Sequence, residues 1–437
     1  MPQNLRSEAR GLMPYEIDAV KAREVLDCRG DPTVEVDVTT RSGVMGRADV
    51  PCGRSTGRHE AVELRDMDKR YRGRGVQKAV RNVNEVLGPR LKGMDLTRQC
   101  AIDNAMVELD GTENKSRLGA NAIVGVSLAV AVAAAKSTGM PLYTYIGGTN
   151  ACVLPVPLLN YINGGKLAAT ELDFQEHIIM PVGAKTFSEA MRMGTEVYYE
   201  LGDMLAKKWG KHSLNVADEG GYTPPGMKDP REAFDAELRA IEELGYSRDF
   251  VLAIDAAASH LYDKKKKLYA LMGKEFTRES LIDYYEGLVA QYPLKSIEDP
   301  LQEEDFEGFA ELTRSVNIQI VGDDLFVTNP KRIRIGIEKG AANALLLKVN
   351  QIGTLTEALD AAQLAYRNHY GVQVSERSGQ TEDTWLANLS VAINAGQIKT
   401  GAPCRGERTA QYNELFRIEE QLGGRARYPG RNFRQPF

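Results

Sequence analysis

The chain has 437 residues, a formal net charge of -5 and 43% hydrophobic residues. That length exceeds one average domain and predicts two, one of them a large barrel, with enough apolar mass for a sizeable core. The mild acidity argues against a nucleic-acid or membrane-surface protein. Cys28, Cys52, Cys100, Cys152 and Cys404 are scattered and form no CxxC. This predicts reduced thiols, a cytoplasmic location, and neither a disulfide framework nor a zinc site. The stretch MPQNLRSEARGLMPYE is polar and lacks the apolar core of a secretory signal, so residues 1–15 read as a loose leader. No uninterrupted apolar run reaches membrane-spanning length. The richest, Ala120–Ala135, contains Gly and Ser and predicts a buried helix.

From Ile17 to Asp37 the pattern alternates around an RGDP turn and predicts antiparallel strands, with a further strand over Gly46–Val50. A Gly-rich mobile loop, PCGRSTGRHEA, follows at Pro51–Ala61. Helical periodicity covers Gly75–Val86, Ala101–Leu109 and Asn121–Ser137. Strands followed by helices predict an α+β N-terminal domain over residues 16–148, ending in the Gly and Pro breaks of GGTNACVLPVP. Over 149–437 strands and helices mostly alternate. The predicted strands are Leu158–Asn163, Phe174–Met180, Leu252–Ala256, Ser296–Asp299, Gln319–Asp323, Ala344–Lys348, Gly371–Ser375 and Gln397–Thr400. Amphipathic helices such as Phe187–Lys208 and Thr354–Arg367 fill the gaps, and the paired strands at the start predict an irregular first turn. The run KKKK at Lys264–Lys267 reads as a solvated turn, and the basic tail GGRARYPGRNFRQPF as peripheral.

Three carboxylates stand at the ends of apolar runs: Asp255 in VLAIDAAAS, Glu298 in LKSIEDP and Asp323 in IQIVGDD. Lys348 ends LLLK, and Arg377 and Ser378 follow the run ending at Ser375. Any one of these could be a surface charge or a cap. Acids and a lysine on separate strand ends make chemical sense if those ends converge, as they do at the C-terminal face of a (β/α)₈ barrel.

The phrases AREVLDCRGDPTVEVDV, GANAIVGVSLAVA, DEGGYTPP, SIEDPLQEEDFEGF, VGDDLFVTNPKRI, KVNQIGTLTEALDA and AGQIKTGAPCRGERTAQYNELFRIEEQLG occur in this order. With them the chain resembles the enolase family from about Ile17 to Gly423. The resemblance implies an α+β N-terminal domain and an eight-stranded TIM-type barrel. It also implies a lyase of phosphorylated acids, usually a homodimer or higher homo-oligomer, with two Mg²⁺ per site. Asp255, Glu298 and Asp323 match the magnesium ligands, and oxygen donors suit that hard cation. Ser55, in GRSTG, matches the loop serine that caps the second ion on closure. Lys348 matches the general base, a role that calls for a pKa lowered towards neutrality. Glu219, in ADEGG, matches the acid at the leaving β-hydroxyl, and Glu176, in FQEH, a supporting carboxylate, with Gln175 beside it at the substrate. Arg377 and Ser378 match the phosphate-binding pair, and Lys399, in QIKTG, the contact to the substrate carboxylate.

The chain departs from the family pattern at one site. SHRSGE is here SERSGQ, so Glu376 replaces a histidine. GGSHA is GGKLA, so Leu167 replaces a second. GASTG is GRSTG, which sets Arg54 beside the loop serine. His59, His177, His212, His260 and His369 fall at neither histidine position. If Glu376 lies close to Glu219, both cannot ionise cheaply and one pKa should rise. Arg54 would return a cation at the substrate. Retained metal ligands and base with altered acid-side groups resemble the carboxyphosphonoenolpyruvate synthases, which implies a CMP-phosphonoformate co-substrate beside a 2-phosphoglycerate-type acid. The alternatives are an ordinary enolase, converting 2-phosphoglycerate to phosphoenolpyruvate, and a non-catalytic protein of the same fold.

Overall fold

A computed structural model describes residues 15–436, apart from Ser55 and Ala169. Most of the predicted leader and the predicted metal-capping Ser55 therefore lie outside the described residues. Strands β1 (Ile17–Leu26), β2 (Pro32–Thr40) and β3 (Met45–Asp49) form an antiparallel sheet. The RGDP turn closes because the Asp27 carboxylate accepts the backbone N–H groups of Arg29 and Asp31, with Gly30 at φ 76°. The helix Ala120–Ser137 packs on this sheet. Two glycines permit the contact: a Cβ on Gly46 would collide with the helix backbone at Ala129 and Ala133, and one on Gly125 would meet Val36. By length and composition this helix could cross a membrane, but 83% of its apolar window is buried inside the protein. It is a core helix, as its composition predicts.

The remaining long strands are β4 (Val156–Asn163), β5 (Glu176–Met180) and β6 (Val251–Asp255), then β10 (Leu294–Glu298), β11 (Gln319–Gly322), β12 (Ala344–Leu347), β13 (Gly371–Ser375) and β14 (Gln397–Lys399). They close into one barrel in the order β10-β11-β12-β13-β14-β4-β5-β6. The expected irregular start is present. β5 runs antiparallel to both β4 and β6, whereas every other barrel pairing is parallel. Reversal brings the N-terminal end of β5, and so Glu176, to the face where the other strands end. Amphipathic helices with side-chain N-caps, such as Phe187–Trp209 behind Thr186 and Leu355–Arg367 behind Thr354, surround the barrel.

Between β6 and β10 lies a small sheet absent from the sequence reading, formed by β7 (Tyr262–Asp263), β8 (Leu268–Leu271) and β9 (Lys274–Phe276). The four lysines form its exposed first turn, in which the Asp263 carboxylate accepts the N–H groups of Lys265 and Lys266. The helix expected over Gly75–Val86 runs on to Leu91 through a wide turn over Asn82–Leu87. That widened turn lets the chain pass Pro89, which has no N–H to offer.

Inside the barrel, Gln319 donates to Ser296 Oγ and Gln397 Oε1 at 2.9 Å each, and Gln397 donates back at 2.8 Å. Gln373 extends this network to Glu298 Oε2 at 3.3 Å. The floor of the site is thus polar, fully paired and rigid.

Candidate functional site

The ladder registers bring the carboxylates together. Glu176 pairs with Asp255 across β5 and β6, and Asp255 with Glu298 across β6 and β10. Asp323 is the first residue beyond β11 and Lys348 the first beyond β12. Lys399 ends β14 and pairs with Ser375, after which Glu376, Arg377 and Ser378 follow. Most of these side chains line one open cavity with about 490 Å³ of empty space.

Lys399 is the hub. Its Nζ lies 2.8 Å from Glu298 Oε1, 2.9 Å from Glu176 Oε1 and 3.1 Å from Asp255 Oδ2. Burial disfavours its charge, but the three acids outweigh burial and hold its pKa well above the ordinary lysine value. Burial, with Glu219 close by, pushes the Glu176 carboxyl up, and burial with Asp255 does the same to Glu298. Gln175 Nε2 donates to Asp255 Oδ2 at 3.0 Å. Gln175 thus orients that carboxylate as well as lining the cavity.

Lys348 Nζ donates to Asp323 Oδ2 at 2.6 Å. Without a metal ion the protein's own groups do not lower the lysine pKa. Burial works in that direction, but Asp323 outweighs it and the net shift is upward. The same contact overcomes burial at Asp323 and holds that carboxyl below its usual value. A divalent cation on Asp323 would remove the effect on the lysine.

At the other end of the cavity Glu219 Oε2 accepts from Asn160 Nδ2 at 3.0 Å. Glu376 is 4% exposed, and its Oε2 accepts from Thr400 Oγ1 at 3.1 Å and from Arg408 Nη1 in a very short ion pair. Burial pushes the Glu376 carboxyl up to about 8, with Arg408 opposing the rise and Glu219 adding to it. Leu167 lines the cavity nearby.

Arg377 is held bidentately by Glu60, at 3.0 and 3.1 Å, and reaches Asn350 Oδ1 at 3.2 Å. Ser378 Oγ accepts from the Arg54 backbone N–H at 2.9 Å and from Arg29 Nη1 at 3.2 Å. The Arg54 guanidinium is not among the groups that line the cavity. It extends over the rim to Asp218 Oδ2 at 3.1 Å and is 45% exposed. In this structure Arg54 meets Ser378 through its backbone N–H, while its guanidinium is paired on the rim.

Both halves of the chain match a known family. Residues 17–146 match the enolase N-terminal domain and residues 151–437 the enolase C-terminal TIM barrel domain. The chain is 61% identical over 428 residues to an enolase of Thermococcus gammatolerans, and 60% identical over 423 residues to one of Methanocaldococcus jannaschii. An enolase of Pyrococcus furiosus is 59% identical over 428 residues. Each match covers 97% of this chain and 99% of the relative. The chain belongs to the enolase family.

For this member of the enolase family the donor set fits divalent cations. Glu176, Glu219, Asp255, Asp299, Asp323, Asp324 and Glu376 face the cavity, against Lys348, Arg377 and Lys399. Seven carboxyl groups to three cations leave an excess of hard oxygen donors, which suits Mg²⁺. Asp299 and Asp324 were not anticipated. Asp299 accepts the backbone N–H groups of Asp323 and Asp324 at 2.9 and 2.8 Å, and so fixes the loop that presents Asp323. Gln351 donates to Asp323 Oδ1 at 2.8 Å. Glu60, Arg29 and Arg408 were also missed. Each lies within a quoted loop or phrase, but no spacing rule marks which long side chain turns inward.

Proposed function

We propose that the chain abstracts the α-proton of a 2-phosphoglycerate-type acid and expels its β-hydroxyl to form an enolpyruvate product, with Mg²⁺ held by Asp255, Glu298 and Asp323. Bound divalent cations supply positive charge that stabilises the carboxylate as its α-carbon loses the proton. Lys348, once neutral, accepts that proton, and the C–H electrons become the new C=C bond. Lys399 orients the substrate carboxylate. Arg377 presents a planar fork to the phosphate, with Ser378 beside it. Glu219, supported by Glu176, stands at the leaving hydroxyl, which departs with its bonding pair and one proton as water. Glu376 contacts the same end of the substrate. The observation that carries this reading is the in-register row Glu176, Asp255 and Glu298, tied by Lys399 and continued by Asp323 to Lys348.

The relatives named enolase support 2-phosphoglycerate as the whole substrate and phosphoenolpyruvate as the product. A second reading rests on Leu167 and Glu376 at the acid side of the cavity. Those positions favour a carboxyphosphonoenolpyruvate synthase that also takes a CMP-phosphonoformate. The test is enol absorbance with 2-phosphoglycerate and Mg²⁺, for the wild type and for Leu167→His with Glu376→His. Robust wild-type turnover supports the ordinary dehydration. Turnover only in the double variant, with product from wild type once CMP-phosphonoformate is added, supports the second reading. Absence of turnover on either substrate, with no exchange of the α-proton, would sink both.

A further inference from the structure

Thr328 and Gln351 stand behind the carboxylates of the cavity rather than among them. Thr328 lies in the turn after β11, and Gln351 on the short helical turn Val349–Ile352 after β12. Both are buried. The turn that carries Thr328 is strained. Val327 and Thr328 have φ of 44° and 55°, in the left-handed region that branched side chains rarely enter. Two contacts hold it there. Val327 N–H donates to the Asp323 carbonyl at 2.7 Å, and the Gly-rich loop packs against the turn, so that a Cβ on Gly57 would lie 2.7 Å from Val327 Cγ1.

The strained turn delivers one hydroxyl. Thr328 Oγ1 accepts the Lys348 backbone N–H at 3.0 Å and donates its own proton to Gln351 Oε1 at 2.8 Å. The other acceptor within its reach, the Leu346 carbonyl, is farther at 3.4 Å. This fixes the amide. Gln351 Nε2 faces Asp323 Oδ1 at 2.8 Å and Glu60 Oε1 at 3.4 Å, and ionised carboxylates only accept. The chain of bonds therefore has one direction, from the Lys348 backbone through Thr328 and Gln351 to Asp323. It divides the two Asp323 oxygens: Oδ1 belongs to Gln351, and Oδ2 meets Lys348 Nζ. The Gln351 carbonyl also accepts Ala61 N–H at 2.8 Å, which docks the end of the Gly-rich loop on the same residue.

We propose that Gln351 is a positioning residue that reserves Asp323 Oδ2 for a divalent cation, and that Thr328 is the residue that sets Gln351. Neither is among the groups that line the cavity. Their effect on the elimination proposed above, on which this inference rests, runs through Asp323 and Lys348. A carboxylate with one oxygen tied by a rigid donor presents the other in a single direction. A lysine whose backbone N–H hangs on the same hydroxyl keeps its place beside that oxygen when a cation takes it. Groups that orient a metal ligand in this way commonly carry roughly 10–100-fold of metal affinity.

The test uses the full-length protein and reads Mg²⁺ binding by calorimetry, apart from turnover. Gln351→Met keeps the length of the side chain and removes its amide. It is expected to weaken Mg²⁺ binding by roughly 10–100-fold. Thr328→Val keeps the branched shape and removes only the hydroxyl, and should weaken Mg²⁺ in the same direction by less. Thr328→Ser, which restores the hydroxyl, should recover most of the affinity. With 2-phosphoglycerate the same order should appear in the Mg²⁺ concentration that gives half-maximal turnover, and in exchange of the substrate α-proton in D₂O at saturating Mg²⁺. A side chain that merely stabilised the fold would lower the folded fraction, seen by circular dichroism, and leave the Mg²⁺ affinity of the folded protein unchanged. Wild-type Mg²⁺ affinity in Thr328→Val, or a Thr328→Ser as weak as Thr328→Val, overturns the proposal whether or not Gln351→Met folds. So does a wild type that binds no Mg²⁺. If wild type binds Mg²⁺ but neither exchanges the α-proton nor forms an enol product, the elimination reading fails, and calorimetry still decides whether Thr328 and Gln351 position Asp323.

Discussion

Replacing Lys399 with methionine removes the one cation shared by Glu176, Asp255 and Glu298 while roughly conserving volume. Its three contacts of 2.8 to 3.1 Å are buried, with Lys399 itself 4% exposed. Deleting one partner of a buried charge cluster costs about 3–5 kcal/mol, because the remaining charges have neither water nor a counter-ion. In EDTA, Lys399→Met should therefore unfold well below the wild type. Mg²⁺ should stabilise both proteins, by about 2.7 kcal/mol for a ligand at a hundred times its Kd. The increment should be larger for the variant, because cations then supply the missing charge. Acidification should also help the variant in EDTA. Glu176 and Glu298 have raised folded-state pKa values, so the folded state binds more protons than the unfolded one and stability rises as pH falls through that window. Thermal unfolding with EDTA or Mg²⁺, at pH 8 and pH 6 (conditions spanning roughly the range in which such shifted carboxyls titrate), tests each part. Equal melting temperatures in EDTA, or equal Mg²⁺ increments, would refute the view of Lys399 as resident counter-ion to the metal ligands.

Two further outcomes follow from side chains away from that cluster. His177 lies on the outward side of β5, fully buried against Phe234 at 5.6 Å between ring centroids. Burial lowers its pKa to about 4 from 6.5, with the Ile162 backbone pulling weakly the other way. Its neutral form is therefore favoured, and the associated stability is lost as pH falls from 6.5 towards 4, by about 3 kcal/mol at 1.36 kcal/mol per unit. His177→Phe should flatten acid unfolding over that range, as followed by circular dichroism at fixed urea. Arg54→Ala removes an exposed ion pair with Asp218 and should cost less than about 1 kcal/mol. It should also leave KM for the phosphorylated substrate nearly unchanged, and a tenfold rise would restore Arg54 to the substrate site.

How much of this could be read from the chain depended on whether the backbone or the side chain carried the information. Asp255, Glu298 and Lys348 were legible because each ends or follows an apolar run, and a strand end fixes where its side chain emerges. Glu176 was found only through the family phrase. Its position at the catalytic face requires β5 to run backwards, and hydrophobic pattern does not encode strand direction. The direction of the Arg54 side chain was not legible because a long side chain beside a loop serine can turn in or out, and here it pairs with Asp218 on the rim. Arg408 was invisible for the converse reason. In GERTAQYN it looks like one more charge on an amphipathic helix, yet it is fully buried. The direct Lys348–Asp323 contact at 2.6 Å, which raises the lysine pKa in the absence of metal charge, was not legible because the two residues lie on different strand ends.

Every cation assigned to the substrate already has a carboxylate partner. Lys399 meets three, Lys348 meets Asp323, and Arg377 is clasped by Glu60. Ligand binding is therefore an exchange of partners rather than an addition of contacts. A phosphorylated acid arriving alone would have to compete with buried carboxylates for Lys399 and Arg377, leaving those carboxylates unpaired at a cost of several kcal/mol. Divalent cations held by Asp255, Glu298 and Asp323 would take up the carboxylates now paired with Lys348 and two of the three paired with Lys399, leaving Lys399 with Glu176 and freer to meet the substrate. Because Glu60 sits in the Gly-rich loop, freeing Arg377 for phosphate also breaks a bond that fixes that loop. On the proposed reading, metal, substrate and loop position would be linked through shared ion pairs, and linkage is reciprocal. Bound metal would then raise substrate affinity by the same factor by which the substrate raises metal affinity.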